Sequence, residues 1–278
     1  MKINDIATPF FESYEATAHY YETYFQQHPE VFNFYFKFHC KNKEERLEQA
    51  LKQHPQMLEQ MRWVKEHVPV YTTDIIKRLQ AMFSITFTED VQIFVGLGGS
   101  KAYTTHSMNP QVAFNVDRID AEEIGLKVLI AHEFGHATHH IYSSEQGISV
   151  RQIKWGNPYT LLMQEGIATY LSMQVVDAPT DVYFAFGRDE EWLTFVQTNK
   201  KDIIEAFQKD LKEQTPQEVF KEWFSINGGK HFGSKAIAYY IGYEIVEKLV
   251  EQQGIEQALL LWGHEGFEQV IDEILNEF

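Results

Sequence analysis

Residues 131–140 read AHEFGHATHH, and the spacing within this stretch suits metal chemistry. His132 and His136 are four positions apart, which on a helix places them on one face about 6 Å apart along the axis. Two imidazoles so placed can converge on one divalent cation, and the donor type suits zinc. Glu133, rotated by about 100° from His132, flanks such an ion without ligating it. A general base acting on metal-activated water belongs there. His140 lies two turns from His132, about 12 Å along the axis, and His139 is similarly distant. Both are expected as outer or surface groups. A third ligand must come from elsewhere, and QEGIATYLS offers Glu165 on a second predicted helix. His132, His136 and Glu165 would then form a His₂Glu set with one coordination position open. Gly166 and Ala168 are small enough for two helices to approach closely there. The plain alternative is a helix whose histidines are satisfied and partly buried.

The elements that must position these side chains are readable in outline. Asp120 has the character of an N-cap with Glu123 in the capping-box position, which predicts a helix through about Ile141. Asn157 and Pro158 form a cap and first-turn pair for a helix running to about Val176. VQIFVGLGG, from residue 91, and QVAFNVD (111–117) read as strands of a small sheet. Gly96, Gly98 and Gly99 form a turn, since no helix opens directly after them as a dinucleotide site requires. In the first ninety residues, Leu47, Leu51, Met57, Met61 and Val64 recur at helical intervals. VFNFYFKF (31–38) fits either a strand or a buried helix and belongs to the core. From Val182 onward the chain reads as helical, with a glycine-rich break at 227–234. The expected fold is α+β and mainly α. It comprises an N-terminal helical region (1–90), a small sheet with the zinc-binding helices (91–178) and a helical C-terminal lobe (179–278), together one unit.

Composition narrows the function. With 24 basic against 40 acidic residues, the chain carries a formal charge of −16, which repels phosphate backbones and anionic lipids. Nucleic-acid and membrane partners are therefore not expected. The single cysteine, Cys40, leaves no intrachain disulfide. The first residues lack the apolar stretch of a signal peptide, so a cytoplasmic protein is expected.

HEFGH followed by QEGIATY resembles the gluzincin zinc metallopeptidases, among them thermolysin, the aminopeptidase N-like enzymes and small bacterial zinc-dependent proteases. The E-G-x-A detail is closer to the aminopeptidase N side. The metzincin pattern is absent, because His139 and Tyr142 stand where it has Gly and His. AYYIGYEIV (238–246) resembles the Tyr-x-x-Gly segment in which gluzincins place a transition-state tyrosine, matching Tyr239 and Gly242. Ala238 stands where the small bacterial proteases usually have glycine. Tyr240, Tyr243 and His231 compete with Tyr239 for the role of hydrogen-bond donor.

The resemblance implies a thermolysin-like core, a Zn²⁺ cofactor and a peptide or protein substrate lying antiparallel to an edge strand. Val112–Val116 is the candidate for that strand. The aminopeptidase segment that holds a free amine has no counterpart, since no glutamate stands between Met108 and Asn109. Endopeptidase or oligopeptidase activity is thus favoured. A non-proteolytic zinc-binding regulatory protein, or a zinc hydrolase of a non-peptide substrate, is the alternative.

Overall fold

The computed structural model describes residues 1–225 and 227–278. It is mainly helical with one four-stranded sheet. The chain opens with strand β1 (Ile3–Asp5), helices α1 (Ala7–Glu12), α2 (Ala18–Gln27) and α3 (Pro29–Phe38), then the long α4 (Lys43–Phe83). VFNFYFKF thus resolves as helix, with Val31, Phe32 and Tyr35 buried. Strands β2 (Val91–Phe94), β3 (Ala102–Thr104) and β4 (Val112–Asn115) follow. Helices α5 (Glu123–Glu145) and α6 (Pro158–Val175) come next. The C-terminal part holds α7 (Val182–Ala185), α8 (Glu190–Thr198), α9 (Lys200–Glu213), α10 (Pro216–Trp223), α11 (Ile237–Gln253), α12 (Ile255–Leu260) and α13 (Phe267–Leu275). Among the described residues no helix is long and apolar enough to cross a membrane.

The sheet order is β1-β2-β4-β3, with β1–β2 and β2–β4 parallel and β3–β4 antiparallel. The first residues therefore supply a strand that the helical reading of 1–90 did not include. The order also overturns the expectation that Val112–Val116 forms a sheet edge. β4 is buried between two neighbours, and the free edge beyond it is β3. Lys101 and Thr105 bond to the β4 side through Asn115 N and Gln111 O. By antiparallel alternation, the peptide groups of Ala102 and Thr104 face outward.

α5 lies beneath this sheet and packs against α4 and α6. It is buried on nearly every side from Gly125 to Ser143, the pattern of a central helix rather than an amphipathic surface one. Its N-cap is Glu122, whose carboxylate accepts from the Ile124 and Gly125 amides. Asp120 instead faces Lys101, so the expected cap lies two residues too early and Glu123 is the first helical residue. For α6 the expected cap stands: Asn157 Oδ1 accepts from Tyr159 N at 2.9 Å, with Pro158 in the first turn.

Glycine contacts bring α5, α6 and α11 together. A Cβ on Gly135 would meet Ala168 Cα at 2.9 Å, so Ala168 serves the α5–α6 contact. Gly166 serves a different helix, since a Cβ there would run into the Gly242 carbonyl oxygen. Gly166→Ala must therefore push α6 and α11 apart. Overpacking of this kind costs about 1–3 kcal/mol, a melting temperature several degrees lower. Gly156→Ala, where a Cβ meets open space, is the matched control and should melt like the parent. Equal melting of the two variants would contradict the close helix contact.

Candidate metal centre

α5 presents His132 and His136 one turn apart, and α6 lays Glu165 against them. Glu165 Oε2 is 3.1 Å from His132 Nε2 and 3.6 Å from His136 Nε2. One donor atom from each residue lies within 4.8 Å of the others, so this buried group could hold a metal ion. The spacing passes a simple test of fit. Donors about 2.1 Å from a tetrahedral ion sit about 3.4 Å from one another, which these two distances bracket. Burial pushes the Glu165 carboxyl up, but the two histidines outweigh it and hold it down at about 2. The acid is thus ionised and able to ligate. His132 Nδ1 is buried and has no hydrogen-bond partner among the described residues.

Glu133 stands beside this group and outside it, as its helical position requires. Its Oε2 accepts from Thr104 Oγ1 at 2.7 Å, and the same hydroxyl reaches the Glu133 carbonyl at 3.0 Å. Burial drives the Glu133 carboxyl up to about 7, against the pull of His136 and Thr104. A proton exchanged near neutrality suits a group that must both take and return one.

Of the four candidate donors in the C-terminal lobe, Tyr239 is the one that reaches the centre. Its ring lies parallel to that of His132 with centroids 6.1 Å apart, and it lines the same cavity as Glu133 and Glu165. Burial and the Glu165 and Glu133 carboxylates push its phenol well above the ordinary range, so it stays a neutral donor. Tyr243 hydrogen-bonds Glu247 one turn along α11, and Tyr240 packs on Phe184. His231 binds Asp210 at 3.0 Å and lies away from the cavity wall.

The placement of His139 and His140 corrects the surface reading, because both are essentially inaccessible. His140 bridges Ser107 O at 2.8 Å and Gln164 Nε2 at 3.2 Å, fixing the wall beside the centre. His139 stacks on Trp262 at 3.8 Å between ring centroids. Neither of its ring nitrogens has a partner among the described residues, and the nearby Leu259 carbonyl accepts from Ser143 Oγ instead. Sequence reading also passed over Thr104, His106 and Phe186. His106 stacks on Trp155, Phe186 packs edge-on against His132, and all three line the cavity. No local pattern marks them, since they reach the centre through sheet register and loop closure.

The buried histidines carry a pH consequence. Burial pushes His140 down to about 3, His139 well below its ordinary value and His39 down to about 4. Between about 6.5 and 4 the unfolded chain takes up protons at these three positions and the folded chain does not. The stability they contribute is complete above about 6.5 and is lost as pH falls. Glu133, with its raised carboxyl, works in the opposite sense but is one group against three. In chelator-treated protein the melting temperature should fall from pH 7 to pH 5, and His139→Phe should flatten the fall. A flat profile in the parent chain would contradict neutral burial of these rings.

The centre lies in a cavity of about 540 Å³, within the range of small-ligand sites. β3, the middle of α5, the first half of α6, the α7 region and the start of α11 enclose it. The arrangement can activate water beside an ion, receive its proton and donate a hydrogen bond to developing negative charge. Comparison with protein-family models, with curated proteins and with solved structures returned no match.

Proposed function

We propose that the chain is a zinc-dependent peptidase of gluzincin type that hydrolyses peptide bonds in short peptides. The observation that carries this reading is the convergence of His132, His136 and Glu165 with Glu133 and Tyr239 in one cavity. Two imidazoles and one carboxylate form the donor set of many catalytic zinc sites, and Glu133 is free of ligand duty. Bound zinc supplies Lewis acidity, which acidifies water and polarises the scissile carbonyl.

Glu133 then takes the proton of the attacking water on its carboxylate and delivers it to the leaving amine. Thr104 holds that carboxylate in place through Oε2. The Tyr239 hydroxyl donates to the carbonyl oxygen as charge develops on it. The outward peptide groups of Ala102 and Thr104 on β3 pair with the extended substrate backbone, in the role expected of Val112–Val116. The cavity volume favours short peptides over folded proteins.

A panel of short peptides incubated with chelated and zinc-reloaded protein tests the reading. Cleavage should appear on reloading and vanish on chelation. Absence of cleavage across the panel by protein that has taken up zinc would overturn it.

A further inference from the structure

The chain as a whole is strongly acidic, yet its cavity is not. Among the described residues no aspartate or glutamate lines it apart from Glu133 and Glu165, whereas Lys101, Arg118 and Lys235 do. Three fixed cations therefore face one cavity in a chain of formal charge −16. Two of them are partly engaged: Lys101 lies 3.5 Å from Asp120, and Lys235 lies 3.0 Å from Asp189. Arg118 alone of the three has no carboxylate partner among the described residues. Its stem passes over the Gly98 turn, 3.9 Å from the position a Cβ would take there, which brings it to the end of the cavity where Lys101 sits. A guanidinium presented without a partner suits a carboxylate, which it can bind through two parallel hydrogen bonds.

The position of Lys101 at the start of β3 gives the preference a direction. Thr104 touches Glu133, where bond cleavage is proposed. Lys101 immediately precedes the strand, three residues back from Thr104, about 10 Å at strand rise. A peptide pairing antiparallel with β3 runs from Thr104 towards Lys101, so its C-terminal portion meets Lys101 and Arg118. Among the described residues the cavity also has no spare acid with which to hold a free amine. The geometry points to a subsite, formed by Arg118 and Lys101, that binds a substrate carboxylate two or three residues beyond the scissile bond. This rests on the peptidase reading above. The carboxylate is either the chain terminus of a short peptide or an acidic side chain.

Binding to zinc-loaded Glu133→Gln protein, read by calorimetry, tests the subsite without relying on turnover. One pair of peptides differs only in a free or amidated C-terminus, and a second amidated pair differs only in Glu or Gln at the second position after the cleavage site. The anionic member of at least one pair should bind on the order of tenfold more tightly, and the pair that responds identifies the carboxylate. The preference should shrink as salt rises. It should largely disappear when Arg118→Gln and Lys101→Gln are added to the same protein, with zinc uptake reporting that this variant is folded. Equal binding within both pairs, or a preference that survives high salt and both substitutions, would overturn the subsite. A carboxylate preference in binding with no cleavage by zinc-loaded wild type would keep the subsite and remove the peptidase reading. Cleavage without any preference would do the reverse.

Discussion

Glu133→Gln is expected to lower kcat by about 10²–10⁴-fold while zinc uptake and melting temperature stay close to those of the parent. The substitution is nearly isosteric. The glutamine carbonyl can still accept the Thr104 hydroxyl that now bonds Glu133 Oε2 at 2.7 Å, so the side chain keeps its place. What is lost is the ability to hold a proton on an acid whose burial pushes it up to about 7. None of the three proposed ligand atoms belongs to Glu133, which is why metal content should not change. Steady-state kinetics on a cleaved peptide, with metal content measured on the same sample, checks both halves. Undiminished kcat would remove Glu133 as the base. Lost zinc would instead make it a ligand.

Glu165→Ala should act on the other half of the machinery, lowering zinc affinity by at least about 100-fold. Loss of a residue that merely orients a ligand already costs about 10–100-fold, and removing a ligand should cost more. Glu165 is the one negative donor of the three, held ionised at about 2 by the two histidines, and it is the atom both imidazoles approach. Without it, two imidazoles on one helix face remain, and the charge of a divalent ion is no longer partly offset. Competition against a chelator of known strength reads the change. Affinity equal to that of the parent would place the third ligand elsewhere. Tyr239→Phe is the contrast, since it should leave affinity intact.

The centre was legible in the sequence because its logic is local. Helical periodicity places His132 and His136 on one face, and Asn157–Pro158 starts the helix that carries Glu165 in the right register. What surrounds the centre depends on contacts between distant segments. β3 is three residues long and lacks the alternation of a readable strand, yet it forms the sheet edge and anchors Glu133 through Thr104. Val112–Asn115 has clearer strand character and for that reason sits inside the sheet. The surface reading of His139 and His140 assumed that α5 has a solvent face. The helix is covered by β3, α4, α6 and α12, and the rings lie against Trp262 and Gln164. Asp120 failed as a cap because Glu122, two residues on, reaches the first free amides directly.

The proposed function requires that His132, His136 and Glu165 share one ion. Crystals of zinc-loaded protein, with anomalous diffraction recorded on both sides of the zinc edge, address it directly. A single strong peak is expected about 2.1 Å from His132 Nε2, His136 Nε2 and a Glu165 carboxylate oxygen, with Glu133 and Tyr239 beside it but not coordinating. A peak at other residues, or no peak between α5 and α6 in fully loaded protein, would contradict it.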